Sequence, residues 1–326
     1  MRKLKAEHQS WPLAKAFAIS RGSRTSSEVV VAEISDGAHV GRAECMPYAR
    51  YDETVEGVVA EIERFAGAVS DGLDRAALQD ALPAGAARNA LDCALWDLEA
   101  KQTGTPVWQL AGLSAPASLV TAYTLSLDVP EKMALAAQEN AFRPLMKLKL
   151  TGEGDIDRVS AVREAAPNTR LIVDANEGWS PEMVAPFSTE LAALGVEMIE
   201  QPIPAAKDAA LAECQHPVPI CADESCHTTA DLDALAGRYE MVNIKLDKTG
   251  GLTEALALRD AAREWGMTIM IGCMIGTSLA MAPAVLVAQG AEVVDLDGPL
   301  LLAKDQPNGL VYDGSIVNPS TPALWG

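Results

Sequence analysis

Downstream of residue 116, eight polar residues stand at the ends of short apolar stretches: Thr124, Lys149, Asp174, Glu200, Asp223, Lys245, Cys273 and Asp297. Successive members are 25, 25, 26, 23, 22, 28 and 24 residues apart. Each interval holds one strand and one Ala-rich crossover helix, as in Leu171-Ile-Val173, then the helical stretch Pro181 to Leu194, then Glu197-Met-Ile199. Strands alternating with helices in this way form βαβ units and a parallel sheet. Eight such units predict a closed (β/α) barrel rather than an open sheet. The C-terminal strand ends of a barrel converge, so the eight residues are expected to face one cavity.

The first 115 or so residues read differently, as α+β. Val29-Val-Val-Ala-Glu-Ile34 is a β-rich run, Val55 to Val69 has helical spacing, and Leu91, Ala94, Leu95 and Leu98 repeat at i, i+3, i+4, i+7 on a second helix that Gly104 and Pro106 end. The polar stretches Ser20 to Glu28 and Met46 to Thr54 are predicted loops, placed to cover a site. The expected organisation is a capping domain over 1–115, a barrel over 116–302, and a tail over 303–326 that completes the cap. In that tail Asp313-Gly314 marks a hairpin turn between apolar runs.

Charge and composition narrow the partners. With 26 Lys plus Arg against 45 Asp plus Glu the net charge is −19, which argues against nucleic acid. No run approaches the ~18 apolar residues of a membrane span, and the basic start lacks an apolar segment after it, so no export signal or membrane partner is expected. Six cysteines without a CxxC pair fit reduced thiols and a cytoplasmic location. Four histidines, none spaced as a zinc motif, leave oxygen as the donor for any metal. The oligomeric state is not legible.

The order of the strand-end residues carries chemistry. Strands three, four and five supply Asp174, Glu200 and Asp223, three carboxylates whose repulsion a bridging cation would relieve. An all-oxygen donor set selects Mg²⁺, for which Mn²⁺ can substitute. Lys149 on strand two and Lys245 on strand six are four strands apart, diametrically opposed in a ring of eight. They are either counter-ions to the carboxylates or two bases on opposite faces of one substrate. Such a site suits proton abstraction next to a carboxylate and inversion of the stereocentre. Lys147 shares an inward face with Lys149 and pairs either with a substrate carboxylate or with Glu200. Asp295-Leu-Asp297-Gly-Pro299 either shapes a turn or binds an ammonium group. Arg24 is a surface charge or a bidentate carboxylate receptor. Lys248-Thr-Gly250-Gly251 lacks Walker spacing and reads as a turn into the next helix.

Taken in order, Lys147-Leu-Lys149, Asp174-Ala-Asn176, Glu200-Gln-Pro202, Ala222-Asp223-Glu-Ser225 and Asn243-Ile-Lys245 resemble the muconate-lactonising subgroup of the enolase superfamily. Asp295-Leu-Asp297-Gly-Pro299 and the stretch Pro83 to Trp96 are similar to those of its dipeptide epimerases. The resemblance implies a (β/α)₇β TIM-like barrel under an α+β cap, Mg²⁺ on Asp174, Glu200 and Asp223, and Lys149 and Lys245 as the acid/base pair. It also implies that Lys147 meets the substrate carboxylate, that Asp295 and Asp297 hold an α-ammonium, that Thr124, Cys273 and Ile275 touch substrate, and that Arg24 receives a glutamyl carboxylate. The implied reaction is two-base epimerisation of an L-Ala-D/L-Glu dipeptide in murein recycling. Alternatives on the same scaffold are o-succinylbenzoate synthase, muconate cycloisomerase, N-acylamino-acid racemase or a non-catalytic binding protein.

Overall fold

The computed structural model describes all 326 residues. Eight parallel strands form one sheet in sequence order: Tyr123–Leu125, Leu145–Lys149, Arg170–Asp174, Val196–Glu200, Ile220–Ala222, Met241–Ile244, Thr268–Ile271 and Val293–Val294. The sheet curls until the Ala122 N–H donates to the Val294 carbonyl at 2.8 Å, which brings the eighth strand against the first. The architecture is thus the expected TIM-like barrel. Seven crossovers link its strands, and the eighth strand leads only into the short helix Gly298–Leu301.

Side-chain alternation explains why the strand ends are polar inside. Ala122, Leu145, Ile172, Met198, Cys221, Met241, Met270 and Val293, one from each strand region, form a closed apolar cluster. Two residues further along, on the same face of each strand, stand Thr124, Lys147, Asp174, Glu200, Asp223, Asn243, Gly272 and Asp295. The first layer plugs the barrel and the second lies above it. Two crossovers differ from the predicted Ala-rich helices: Ala205–Glu213 is a 3₁₀ helix, and the next consists of Thr229–Asp231 and Leu232–Leu235. They occupy the two shortest intervals, and the first lies between Pro202-Ile-Pro204 and Pro217-Val-Pro219, which leave little length for an α-helix.

The cap is a three-stranded antiparallel sheet, Lys3–Ile19, Gly22–Ser35 and Val40–Cys45, against the helix Ala86–Thr103. Here one expectation is corrected: Ser20 to Glu28 is not a loop. Only Ser20 and Arg21 turn the chain, and Gly22 onward pairs with the first strand, Arg24 opposite Phe17 and Ser27 opposite Trp11. This ribbon is polar because it leaves the cap core and reaches over the barrel mouth. Cross-strand bonds from Ser10 and His8 to Glu28 supply part of its pairing. The stretch Met46 to Thr54 is a loop with one 3₁₀ turn at Ala49–Tyr51.

The cap helix is buried on nearly all sides because it lies between its sheet and the barrel. A Cβ at Gly41 would sit 2.2 Å from the Ala94 carbonyl oxygen, so only glycine lets this strand approach the helix so closely. On the opposite face, Arg88 donates to the Thr249 and Gly250 carbonyls at 2.6 and 3.3 Å, and Asp92 accepts from the Thr253 N–H and hydroxyl at 3.0 and 2.6 Å. The Lys248-Thr-Gly-Gly251 segment therefore turns the chain into Leu252–Glu264, as expected, and docks the cap. The C-terminal hairpin, Tyr312–Asp313 with Ile316–Val317, pairs with Leu119–Val120 beside the barrel rather than with the cap. The tail meets the cap at both of its ends: the Ala303 N–H donates to the Pro12 carbonyl of the first cap strand at 2.8 Å, and the Trp325 indole N–H donates to the Cys93 carbonyl of the cap helix at 3.0 Å.

A buried carboxyl joins the two parts. Glu44 accepts from the backbone N–H of Thr277 at 2.7 Å and from its hydroxyl. Burial, reinforced by Asp247 and Asp305, pushes its pKa from the usual 4.5 up to about 7. A raised carboxyl pKa stabilises the fold fully below the unfolded value, and this contribution is lost as pH rises through the folded one. Between pH 5 and 8 the parent should therefore lose on the order of 3 kcal/mol relative to Glu44→Gln. Denaturant unfolding of both proteins across that range measures the difference, and parallel stability profiles would refute it.

Candidate active site

Above the apolar plug the charges interlock. Lys149 and Asp174 are register partners, as are Asp174 and Glu200. The Lys149 ammonium lies 2.6 Å from Asp174, and Lys147 lies 2.6 Å from Glu200, 2.8 Å from Asp295 and 3.4 Å from Asp174. Lys245 lies 2.7 Å from Asp223 and 3.9 Å from Glu200. Lys248, absent from the sequence-based site, donates to Asp223 Oδ1, the Asp223 carbonyl and the Asn243 carbonyl at 2.7, 2.6 and 2.8 Å. Of the two pairings open for Lys147, the structure contains the one with Glu200.

These contacts set the protonation states. Burial opposes ionisation of Asp174, but Lys149 and Lys147 hold its pKa down to about 2. Asp223 is likewise kept well below the usual carboxylate range, against burial, by Lys245 and Lys248. Glu200 moves upward through burial and the neighbouring Asp174. Burial also works against the ammonium forms of Lys147 and Lys245, yet the carboxylates around them raise both well above the ordinary lysine value.

Donor chemistry tests whether this layer suits a cation. Asp174, Glu200 and Asp223 offer only hard oxygen atoms and are almost fully buried. Glu200 Oε2 is paired with the Lys147 ammonium at 2.6 Å. Each carboxylate is turned onto a lysine, and the three do not close into a metal-binding set as they stand. The all-oxygen donor set and its burial fit a hard divalent ion.

Between the barrel mouth and the cap ribbon lies a cavity of about 410 Å³. Lys149, Asp223 and Lys245 line its barrel side, Cys273 and Ile275 a wall, and Phe17, Arg21, Arg24 and Tyr48 its cap side. The two lysines thus open into one space from strands four apart. Three arginines also line it: Arg21 is paired with Glu224 at 2.8 Å and Arg50 with Glu177 at 2.8 Å. Arg24, on the ribbon rather than in a loop, has only the Met46 sulfur within reach, at 3.9 Å, and no carboxylate partner. Thr124, Lys147, Asp295 and Asp297 cluster together but do not line this cavity. Asp297 accepts from the Thr124 N–H at 2.6 Å, and burial together with Asp295 pushes its pKa up to about 7.

Sequence reasoning missed Arg21, Glu224, Asn176 and Lys248 as parts of the site. Asn176 and Glu224 stand inside quoted motifs, beside carboxylates that drew the attention. Lys248 lay in a glycine-rich turn, and Arg21 carried no signal beyond a polar segment.

Comparison with known proteins places this geometry. The family described as "Enolase C-terminal domain-like" matches residues 130–315, and "Mandelate racemase / muconate lactonizing enzyme, N-terminal domain" matches residues 1–112. The chain belongs to the mandelate racemase / muconate lactonizing enzyme family of the enolase superfamily. It is 49% identical to the L-Ala-D/L-Glu epimerase of Escherichia coli (strain K12), over 96% of this chain and 98% of that one. It is 46% identical to an N-acetyl-D-glutamate racemase of Pseudoalteromonas, over 91% and 95% of the two chains. Among solved structures it matches an enolase family member from Agrobacterium tumefaciens with homology to dipeptide epimerases, bound to sodium and L-Ala-L-Glu with an ordered loop. That match has a TM-score of 0.98 and 54% identity over the whole of both chains. No helix is long and apolar enough to cross a membrane.

Proposed function

We propose that the chain is a Mg²⁺-dependent dipeptide epimerase that inverts the C-terminal residue of L-Ala-D/L-Glu, serving murein peptide recycling in the cytoplasm. The observation that carries this reading is the shared cavity: two opposed lysines and, on the cap, one arginine without an acidic partner. Lys149 and Lys245 exchange the α-proton on opposite faces, one removing it as a free amine and the other returning it from its ammonium. Loss of that proton leaves an enediolate, whose charge electrostatic groups in a dry site stabilise. Asp174, Glu200 and Asp223 would hold Mg²⁺, or Mn²⁺ in its place, which when bound supplies positive charge at the reacting carboxylate. Arg24 receives the side-chain carboxylate of the glutamyl residue, Cys273 and Ile275 bound the substrate, and Lys147 with Thr124 braces the floor. Asp295 and Asp297 provide for the α-ammonium, and six free thiols suit a reducing compartment.

The N-acetyl-D-glutamate racemase similarity adds a second reading, which two contacts favour: Asp297 is turned onto a backbone N–H and Asp295 onto Lys147, so neither carboxylate opens into the cavity. A neutral acyl group would need no such partner. Proton NMR in heavy water separates the two. Loss of the Glu α-proton of L-Ala-L-Glu, with growth of the L-Ala-D-Glu signals and none in a chelated control, supports the epimerase. Exchange confined to N-acetylglutamate would replace it with the racemase.

Arg24→Met should lower kcat/KM for L-Ala-L-Glu by about 10–100-fold, the worth of one charge-assisted contact. A dipeptide whose C-terminal side chain is uncharged, such as L-Ala-L-Leu, should be little affected. Equal losses on both substrates would remove Arg24 as the side-chain receptor.

A further inference from the structure

Two motif residues have no task in the proton transfer just described. Asn176 and Glu224 follow Asp174 and Asp223, are each 5% exposed, and both line the catalytic cavity. Asn176 wraps round Asp174: its backbone N–H donates to Oδ1 at 2.8 Å and its side-chain Nδ2 to Oδ2 at 3.2 Å. The carboxylate thereby fixes the amide's orientation, since only its nitrogen can face an acceptor. The other end, Asn176 Oδ1, is buried and has no hydrogen-bond partner. Glu224 is arranged alike. Its Oε1 accepts from Arg21 Nη2 at 2.8 Å, while its Oε2 is buried without a partner. Arg21 also donates from Nη1 to the Asn176 carbonyl at 2.9 Å, so one guanidinium holds both residues at one corner.

That corner presents two buried acceptors without partners. A buried acceptor left unpaired is costly, so the arrangement calls for a ligand rich in donors. The acceptors adjoin Asp174 and Asp223, two of the three carboxylates assigned to the metal. We infer that Asn176 Oδ1 and Glu224 Oε2 accept hydrogen bonds from water carried by the divalent ion, an inference that rests on the metal reading above. Arg21 is the positioning residue: it engages Glu224 Oε1 and leaves Oε2 toward the cavity. Hard cations such as Mg²⁺ keep part of their water when protein-bound, and partners beyond the direct ligands orient what the ion carries.

Titration of the metal-free protein with Mn²⁺, without dipeptide, tests this through the paramagnetic resonance of the free ion and the relaxation of solvent protons. Glu224→Gln replaces an acceptor by an amide with a donor end, and Asn176→Gly removes the other acceptor while tolerating the left-handed φ of 45°. Each should weaken Mn²⁺ binding about 10–100-fold and alter the relaxation caused by bound ion. Asn176→Asp keeps an acceptor and should bind no more weakly than the parent. Glu197→Gln removes a charge from an exposed pair with Arg170, away from the cavity, and should leave affinity unchanged. Parent-like Mn²⁺ binding by both Glu224→Gln and Asn176→Gly overturns the proposal, and a raised KM for dipeptide in those variants would reassign the acceptors to the substrate's ammonium. A parent that takes up no Mn²⁺ fails the metal reading itself, a result distinct from failure of the variants alone.

Discussion

Lys149→Ala and Lys245→Ala should each lower kcat for epimerisation by about 10²–10⁴-fold, the range for a positioned acid or base. The expected pattern is sharper than a loss of rate. With one lysine removed, the remaining one still exchanges the α-proton of the epimer facing it, so deuterium enters one diastereomer without inversion. Removal of either lysine also takes one of two ion-pair partners from a buried carboxylate, leaving Asp174 with Lys147 and Asp223 with Lys248. Lys149→Arg and Lys245→Arg control for this, because a guanidinium keeps the charge and does not deprotonate at working pH. They should lose rate like the alanine variants while unfolding like the parent. Full epimerisation by any of the four would eliminate a two-base reaction at these positions.

Lys248→Met should destabilise the fold by about 3–5 kcal/mol, as when one partner is taken from a buried pair. The Lys248 side chain has no exposed surface and donates to three oxygens, two of them on Asp223. Methionine fills much of the volume but leaves Asp223 Oδ1 without its donor and removes a buried cation from that carboxylate. Lys132→Met, at an exposed pair with Asp128, should change stability little. Chemical unfolding of both variants measures the contrast. A Lys248→Met protein as stable as the parent would show that water or another side chain satisfies the Asp223 oxygens.

The barrel was legible because its signal is periodic over long distance. Polar strand ends recur once per strand and helix, and an apolar residue two to four positions before each of them joins the plug. The catalytic candidates followed from that register. The ribbon was misread because it is stabilised by cross-strand pairing with Trp11 to Ile19, a partner that no local pattern in Ser20 to Glu28 identifies. Lys147 stayed ambiguous since alternation fixes the face a side chain takes but not which of several anions it meets. Lys248 and Arg21 were hidden for a related reason: their roles depend on loops brought together from distant parts of the chain, 25 residues away for Asp223 and 203 for Glu224.

The placement of Arg24 on the cap ribbon has a consequence for how this scaffold can diversify. The groups assigned to moving protons belong to barrel strands locked by mutual ion pairs, where a changed residue disturbs several charges at once. The side chain assigned to reading the substrate stands on a polar ribbon and makes one weak contact with sulfur. Heritable change can therefore accumulate in the ribbon and retarget the reaction toward another side chain, while the inherited chemistry beneath it stays fixed.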